Sequence, residues 1–478
     1  MKNWQGKKVV IVGAARQGLA LARYLTRQGA RVVLNDLRPA EALAESMSNL
    51  DSFQVEWVLG GHPLTLLEGA DLFCLSGGID PELPLIVAAK ERGIPLANDT
   101  QIYLETCPCP VIGITGSAGK TTTTSLVGKI LADWSKSTAE SPGRPRHVFV
   151  GGNIGNPLLD DLVRMQTTDL AVMEVSSFQL ELTRRSPQVA VVLNITPNHL
   201  DRHGTFQAYR TAKANIITHQ DSQDICVLGR EDPIAWSLKS TVKGRLITFG
   251  LLPAPALFRP EQDRSGPAIE MDVCLDAEWL VLMKADGRTP ILPRSEIRLR
   301  GSHNLLNVLA ACAIAAAAGC PVEHMRQAVR DFAGVAHRLE FVRRVNQVDW
   351  YDDSIATAPE RAMAGIRAFE EPLILLAGGR DKNLPWQGLV DLICRRVDHL
   401  VSFGEHGPQI DALVRAHREA RPHSIDLCRG LADAVRTAGQ VSTAGDVVLL
   451  SPGGTSFDEF KDYEERGEAY KQWVNELS

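Results

Sequence analysis

With 478 residues the chain exceeds a single hydrophobic core, and about two to four domains are expected. A hydrophobic content of 44% and a charged content of 23% are those of an ordinary soluble globular protein, and the net charge of −6 gives no sign of a nucleic-acid or anionic-membrane partner. No uncharged apolar run approaches the roughly 20 residues needed to span a bilayer.

The opening MKNWQGKKVVIVG runs straight into a strand, so no signal peptide is expected. Nine cysteines are scattered, mostly in apolar settings such as Cys74 in DLFCLS and Cys312 in LAACAIA, and read as reduced core thiols of a cytoplasmic protein. Cys107 and Cys109 in TCPCP are too close together and too isolated to read as a zinc site.

Residues 8–36 read strand, turn, helix, strand (KVVIVG, AARQG, LALARYLTRQG, RVVLND), and DLFCLS, PLIVAAKERG and IPLAND continue the alternation. That pattern predicts a parallel, Rossmann-like sheet ending near residue 105. The turn 13-GAARQG-18 nearly matches a dinucleotide fingerprint, with Gly13, Gly18 and Asp36 in place, but Ala15 occupies the middle glycine position. A methyl there hinders approach of a pyrophosphate, which disfavours a nicotinamide dinucleotide. Another nucleotide held through Asp36, or a purely structural turn, remains open.

The second piece, to about residue 335, opens with an apolar run, PVIGI, then GITGSAGKTTTT at 113–124, then a stretch with helical spacing. Strand, glycine turn, Lys-Thr and helix make a phosphate cradle. Gly116 and Gly119 let backbone N–H groups approach an anion, Lys120 reaches outer phosphates and the Thr121 hydroxyl suits Mg²⁺. The motif is not a strict Walker A, because Ile114 stands where glycine is required. Pro-, Gly- and charge-rich 135–147 reads as an exposed loop, and 170–175 and 189–195 as strands. Glu174 ends the first of these, and NITPNHLDRHG with His199 leaves the second. The two strands are expected to lie side by side, so that both residues open onto one sheet edge and suit a metal or substrate. A β-rich stretch spans roughly 224–300, and GSHNLLNVLAACAIAAAAG predicts a strong helix closed by Gly319.

The third piece runs from about 336 to the end. WYDDS, a helix from PERAMAGIRAF, LILLAGG, LVSFG and DVVLLSPGG predict another small α/β sheet. Thr357 is expected to cap the helix that starts near Pro359.

Seven motifs occur in order: GITGSAGKTT, GGNIG at 151–155, EVSSFQL at 174–180, NHLDRH at 198–203, Ala212-Lys213, GSHNLLN at 301–307 and HRLE at 337–340. Together they resemble the Mur ligase family of cell-wall synthesis, over all three pieces, and the ending SPGGTSFDEFKDYEERGEAY is similar to that of its glutamate-adding member. The resemblance implies an α/β protein of three domains. These are a Rossmann-like UDP-substrate domain (1–105), a P-loop-type ATP domain (106–335) and a Rossmann-like glutamate domain (336–478). It implies ATP-dependent addition of D-glutamate to UDP-N-acetylmuramoyl-L-alanine through an acyl phosphate, by a cytoplasmic monomer without nucleic-acid or membrane partners.

The same resemblance assigns residues. Lys120, His199 and Lys213 are catalytic. Thr115, Gly116, Ser117, Ala118, Gly119, Lys120, Thr121, Thr122, Asn304, Asn307, Arg338, Asp381 and Lys382 meet ATP, the last three from the third domain. Ala15, Arg16, Gln17, Asp36, Arg38, Asn153 and His199 meet the UDP-substrate. Two Mg²⁺ ions fall to Thr121, Glu174, His199 and Lys213, the lysine carrying a CO₂-derived carbamate. By position alone, Lys213 on a helix reads as a solvated surface group. One departure concerns glutamate: 353-DSIATAP-359 has Ile355 where the family shows a lysine. Arg361, a bidentate carboxylate binder about six residues on, is expected to replace it, alongside Thr357, Ser456 and Tyr463.

Overall fold

A computed structural model describes residues 3–137, 142–254, 267–382, 384–417 and 420–477. Part of the expected 135–147 loop and of the β-rich stretch therefore lies outside the described residues. The chain forms two compact units, Met1–Ile297 with His303–Asp331, and Arg298–Ser302 with Phe332–Ser478.

The first unit holds two sheets. The first sheet contains β1 (Lys8–Val12), β2 (Arg31–Asp36), β3 (Val55–Leu59), β4 (Leu72–Leu75) and β5 (Leu96–Ala97), all parallel in the order β3-β2-β1-β4-β5. Strands β1 and β4 are nearly continuous apolar runs, and β2 has an apolar centre of Val32, Val33 and Leu34, as expected of strands covered on both faces. The second sheet contains β6 (Val111–Thr115), β7 (Val148–Gly152), β8 (Leu170–Glu174), β9 (Val189–Val192), β10 (Ile225–Gly229), β11 (Arg245–Gly250), β12 (Ile269–Asp276), β13 (Trp279–Lys284) and β14 (Gly287–Pro293). Its order is β14-β13-β12-β11-β10-β9-β6-β8-β7, parallel except for the antiparallel β12-β13-β14 meander. One apolar core runs through both sheets, joining Ile11 and Leu34 to Tyr103, Ala171 and Val192. Helix Asp99–Thr106 carries Tyr103 into that core and is capped by Asn98, whose side chain accepts from the Gln101 N–H. The helix expected before Gly319 spans Ser302–Ala317, and Gly319 adopts the left-handed φ of +80° that ends it.

The strand that ends at Glu174 and the strand that leads to the His199 segment are not neighbours, contrary to the sequence expectation. Strand β6 lies between β8 and β9, because the phosphate-loop strand takes the central position. Because β8, β6 and β9 are parallel, Glu174 and the segment leaving β9 still open onto the sheet edge that carries the phosphate loop.

The second unit has the sheet β15 (Glu340–Val345), β16 (Val348–Asp352), β17 (Leu373–Gly378), β18 (His399–Phe403), β19 (Ser424–Leu427) and β20 (Val447–Gly453), in the order β15-β16-β20-β17-β18-β19. Only the β15-β16 hairpin is antiparallel; Asn346 and Gln347 turn it with φ of +50° and +64°, as a tight primed turn requires. Loops after β16, β20 and β17 leave the same edge of three adjacent parallel strands, the edge where such sheets bind ligands. No helix among the described residues is long and apolar enough to cross a membrane.

Candidate active site

The turn after β6 is held from below. Ser117 N–H donates to the Asn194 carbonyl at 3.0 Å and Ala118 N–H to Asn194 Oδ1 at 2.9 Å. The Ser117 hydroxyl bonds the Thr196 carbonyl and lies 2.8 Å from the Tyr209 hydroxyl. Helix Lys120–Ser135 starts directly after Gly119, and its first N–H groups have no partner within the helix. The amides of Lys120, Thr121 and Thr122, with the helix dipole behind them, therefore suit a phosphate. Lys120 Nζ curls back to the Gly116 carbonyl at 2.8 Å and to the Ser117 carbonyl at 3.4 Å.

Asn304 and Asn307 lie beside this loop, on helix Ser302–Ala317. Asn307 Nδ2 donates to Asn304 Oδ1 at 3.0 Å, and Asn307 Oδ1 is 3.5 Å from Thr123 Oγ1. Gly119 has a φ of +83°, and a Cβ there would fall 2.2 Å from Asn307 Oδ1. Gly119→Ala is therefore expected to cost roughly 1–3 kcal/mol of stability, read as a fall of several degrees in Tm, and to weaken ATP binding. An unchanged Tm with unchanged ATP affinity would contradict this geometry.

Glu174 ends β8 at 1% exposure. Its Oε1 accepts from Asn153 Nδ2 at 2.8 Å, and its Oε2 is buried with no hydrogen-bond partner. The backbone brings Asn153 there: its N–H donates to the Glu174 carbonyl at 2.9 Å, and at Gly152 (φ +103°) a Cβ would lie 2.4 Å from that same carbonyl. A buried carboxylate oxygen without a donor is costly unless a cation completes it. Glu174, with the Thr121 hydroxyl at the helix start, fits a divalent cation.

Lys213 is not the solvated group its helical position suggests. It is 1% exposed, donates to the Gly116 carbonyl at 2.9 Å, lies 3.4 Å from Thr115 Oγ1, and sits over the Tyr209 ring at 4.8 Å. Burial, and then the nearby Lys120 charge, push its amine down to about 6 against the pull of Glu174. Helix Phe206–Thr218, capped by Thr205, is anchored on its inner face by Tyr209, Ile216 and Ile217, which turns Lys213 inward.

The two histidines of NHLDRH differ. His203 is buried, bonded to Glu181 Oε1 at 2.8 Å and Ser177 Oγ at 2.9 Å, and stacked on Phe178. That is a structural role. His199 is exposed, has φ +53° at the start of helix Leu200–His203, and meets Phe178 edge-on at 5.2 Å. A left-handed non-glycine conformation stores strain of the kind found at functional sites.

In the first sheet, Asp36 Oδ2 accepts from the Ala14 N–H at 2.7 Å and pairs with Arg38 at 2.8 Å. The Arg38 guanidinium holds the Asp36 carboxyl far below the usual carboxylate range despite its burial. Ala15 and Gln17 flank Arg16, whose guanidinium donates to the Gly155 carbonyl at 2.9 Å. This links the first turn to the GGNIG segment that carries Asn153.

The second unit gathers its own group. Lys382, expected among the nucleotide contacts beside Asp381, has Nζ 3.5 Å from Thr357 Oγ1. Burial, then the Arg361 and Arg466 charges, push its ammonium down. Arg361 donates to the Ile355 carbonyl at 3.4 Å. Thr357 does not cap the helix Pro359–Ile366, contrary to expectation: Ala358 takes the cap position without a side-chain bond, and Thr357 sits one residue too early. Ser456 is buried after β20, and Tyr463 meets the His337 ring edge-on at 6.2 Å. Arg338 lies between His337 and Leu339, both at positive φ. His337 Nδ1 bonds Asp352 Oδ2 at 2.7 Å, and the Leu339 N–H donates to Asp353 at 3.3 Å. Burial pushes the Asp353 carboxyl up to about 7 against the Ser451 hydroxyl and the Arg338 charge.

Sequence reasoning missed Asn194, Tyr209 and Phe178, which hold the phosphate loop, Lys213 and His199. Only Asn194 carried a signal, as a polar residue leaving an apolar strand.

The family description "Mur ligase MurD-like, N-terminal domain" matches residues 7–98, "Mur ligase middle domain" 114–315, and "Mur ligase, glutamate ligase domain" 337–454. The chain is 39% identical to a UDP-N-acetylmuramoylalanine--D-glutamate ligase of Symbiobacterium thermophilum, covering 99% of this chain and 98% of that protein. It is 38% identical to one of Acidobacterium capsulatum, covering 98% and 96%. Among solved structures, the UDP-N-acetylmuramate-alanine ligase MurC of Thermotoga maritima shares the fold, with a TM-score of 0.56 and 18% identity over 98% of this chain and 100% of that one. With three domain descriptions in order and whole-length relatives, the chain belongs to the Mur ligase family.

Proposed function

We propose that the chain is the ATP-dependent ligase that joins D-glutamate to UDP-N-acetylmuramoyl-L-alanine in peptidoglycan precursor synthesis. The curated relatives that match along its whole length carry that activity in their name. The observation that carries the chemistry is the buried Lys213 amine under the phosphate loop, grouped with Lys120, Thr115 and Glu174.

A carboxylate is a poor electrophile, so the alanine carboxylate first takes the γ-phosphoryl group and ADP leaves. The glutamate amine then attacks the acyl carbon, and the tetrahedral intermediate expels phosphate. The protein's part is positioning and charge neutralisation. Lys120 and the amides of the helix start hold the phosphates, and Asn304 and Asn307 hold the nucleotide near the loop. Thr121, Glu174, His199 and a Lys213 carbamate would hold two Mg²⁺ ions, which neutralise phosphate charge. Asp36, Arg38, Arg16 and Asn153 orient the UDP-substrate. The enzyme acts as a cytoplasmic monomer.

For glutamate, Arg361 and Lys382 form a cationic pair beside Thr357, against the backbone of Ile355 where the family lysine stands. A lysine whose ammonium is pushed down by burial and by the Arg361 charge favours a bound carboxylate, which would restore it. Arg361→Ala is expected to raise KM for glutamate well over about tenfold and leave KM for ATP nearly unchanged. An unchanged glutamate KM would remove Arg361 from the site.

The acyl-phosphate step is tested with ¹⁸O in the alanine carboxylate. One labelled oxygen is expected to appear in the released phosphate. Unlabelled phosphate, or label in AMP, would refute the step.

A further inference from the structure

Cys107 and Cys109 are not accounted for by the ligase reaction. They flank Pro108 between helix Asp99–Thr106 and β6, the strand that runs into the phosphate loop. Their sulfurs lie 3.5 Å apart, close to van der Waals contact. The Tyr103 hydroxyl is 3.3 Å from Cys107 Sγ, and Met165 Sδ is 4.0 Å away. Pro108 and Pro110 restrict the segment, and the Cys107 N–H is tied to the Tyr103 carbonyl at 2.8 Å. The two thiols are thus held together by the backbone. Cys107 is half-buried, whereas Cys109 is only 4% exposed.

We propose that Cys107 and Cys109 are a redox pair that a hydroperoxide converts to an intramolecular disulfide. Cys107 is the attacking thiol. The hydrogen bond from Cys109, opposed by burial and aided by the Tyr103 hydroxyl, holds it well below the usual thiol range, while Cys109 is pushed up. A partly exposed thiolate beside a protected thiol is the arrangement of a sensor and a resolving cysteine. The Cys107 thiolate attacks the terminal peroxide oxygen, the O–O bond breaks, and the departing alkoxide or hydroxide takes up a proton. Cys109 sulfur then attacks the Cys107 sulfenic sulfur. The S–O bond breaks, and hydroxide leaves with the Cys109 proton as water. Two thiols and one hydroperoxide give one disulfide, one water and one alcohol, or a second water when the oxidant is hydrogen peroxide. Closing the sulfurs requires a movement of roughly 1.5 Å, within reach of side-chain rotation.

The test is a hydrogen peroxide titration of the full-length folded protein, followed by tryptic mapping. The peptide holding both cysteines is expected to become lighter by two hydrogens, at least about tenfold faster than any other cysteine is oxidised, and to revert with dithiothreitol. In Cys109→Ser, the Cys107 sulfenic acid is expected to persist and be captured by dimedone. A pair that stays reduced while the other cysteines oxidise would overturn the proposal, as would Cys107 sulfinic acid beside an intact Cys109 thiol. Should Cys109→Ser fail to fold, the wild-type map decides alone.

Discussion

Lys213→Ala is expected to lose about a thousandfold or more in turnover, and millimolar acetate or formate is expected to restore part of it. An ordinary lysine, with a pKa near 10.4, offers only about one neutral amine in a few thousand at pH 7. Lys213 is held near 6 by burial and by Lys120, so most of it is neutral there and able to take up CO₂. A carbamate there would turn the neutral amine into an anion near Glu174 and Lys120. A short carboxylic acid in the truncated site supplies the same anion. Lys213→Arg is expected to be as inactive as alanine, because a guanidinium cannot be carbamylated at neutral pH. A second readout is independent of activity: protein equilibrated with ¹³C-bicarbonate should show a carbamate carbon that is missing in both variants. Full activity of Lys213→Arg would reduce the lysine to a buried cation.

Lys120→Ala is expected to be the other severe loss, again about a thousandfold or more in kcat/KM with Tm shifted by no more than a few degrees. Nζ donates to the Gly116 and Ser117 carbonyls, within its own loop, and that loop is also held by Asn194, Thr196 and Tyr209. The fold therefore survives the substitution. Contact with a phosphate is a charge-assisted hydrogen bond in a partly desolvated site, so several kcal/mol of transition-state stabilisation go with it, at about tenfold per 1.4 kcal/mol. Turnover within about threefold of wild type would sink the phosphate-loop reading.

The alternation of apolar runs with helical spacing was enough to read the parallel sheets, because strands buried on both faces are written as continuous Val, Ile and Leu. The glycine turn and Lys120-Thr121 were legible because a phosphate loop is local in sequence. What was not legible depends on strand order. Nothing local says that β6 inserts between β8 and β9, so the flanking of the loop by Glu174 and the His199 segment needed the fold. Nor does spacing say that Lys213 faces inward; the Tyr209 and Ile216 anchors decide it. Thr357 failed as a cap because helix starts are uncertain by a residue or two, and here one residue separated a capping side chain from one turned toward Lys382. The Asn304–Asn307 pair was legible as helical spacing, but its approach to Gly119 was not.

Release of ADP from ATP, measured with UDP-N-acetylmuramoyl-L-alanine against a panel of D- and L-amino acids, tests the central claim most directly. Release is expected to need the UDP-substrate and to be fastest with D-glutamate, one ADP for each new amide. Faster release with L-glutamate or another amino acid, or release indifferent to the UDP-substrate, would contradict it.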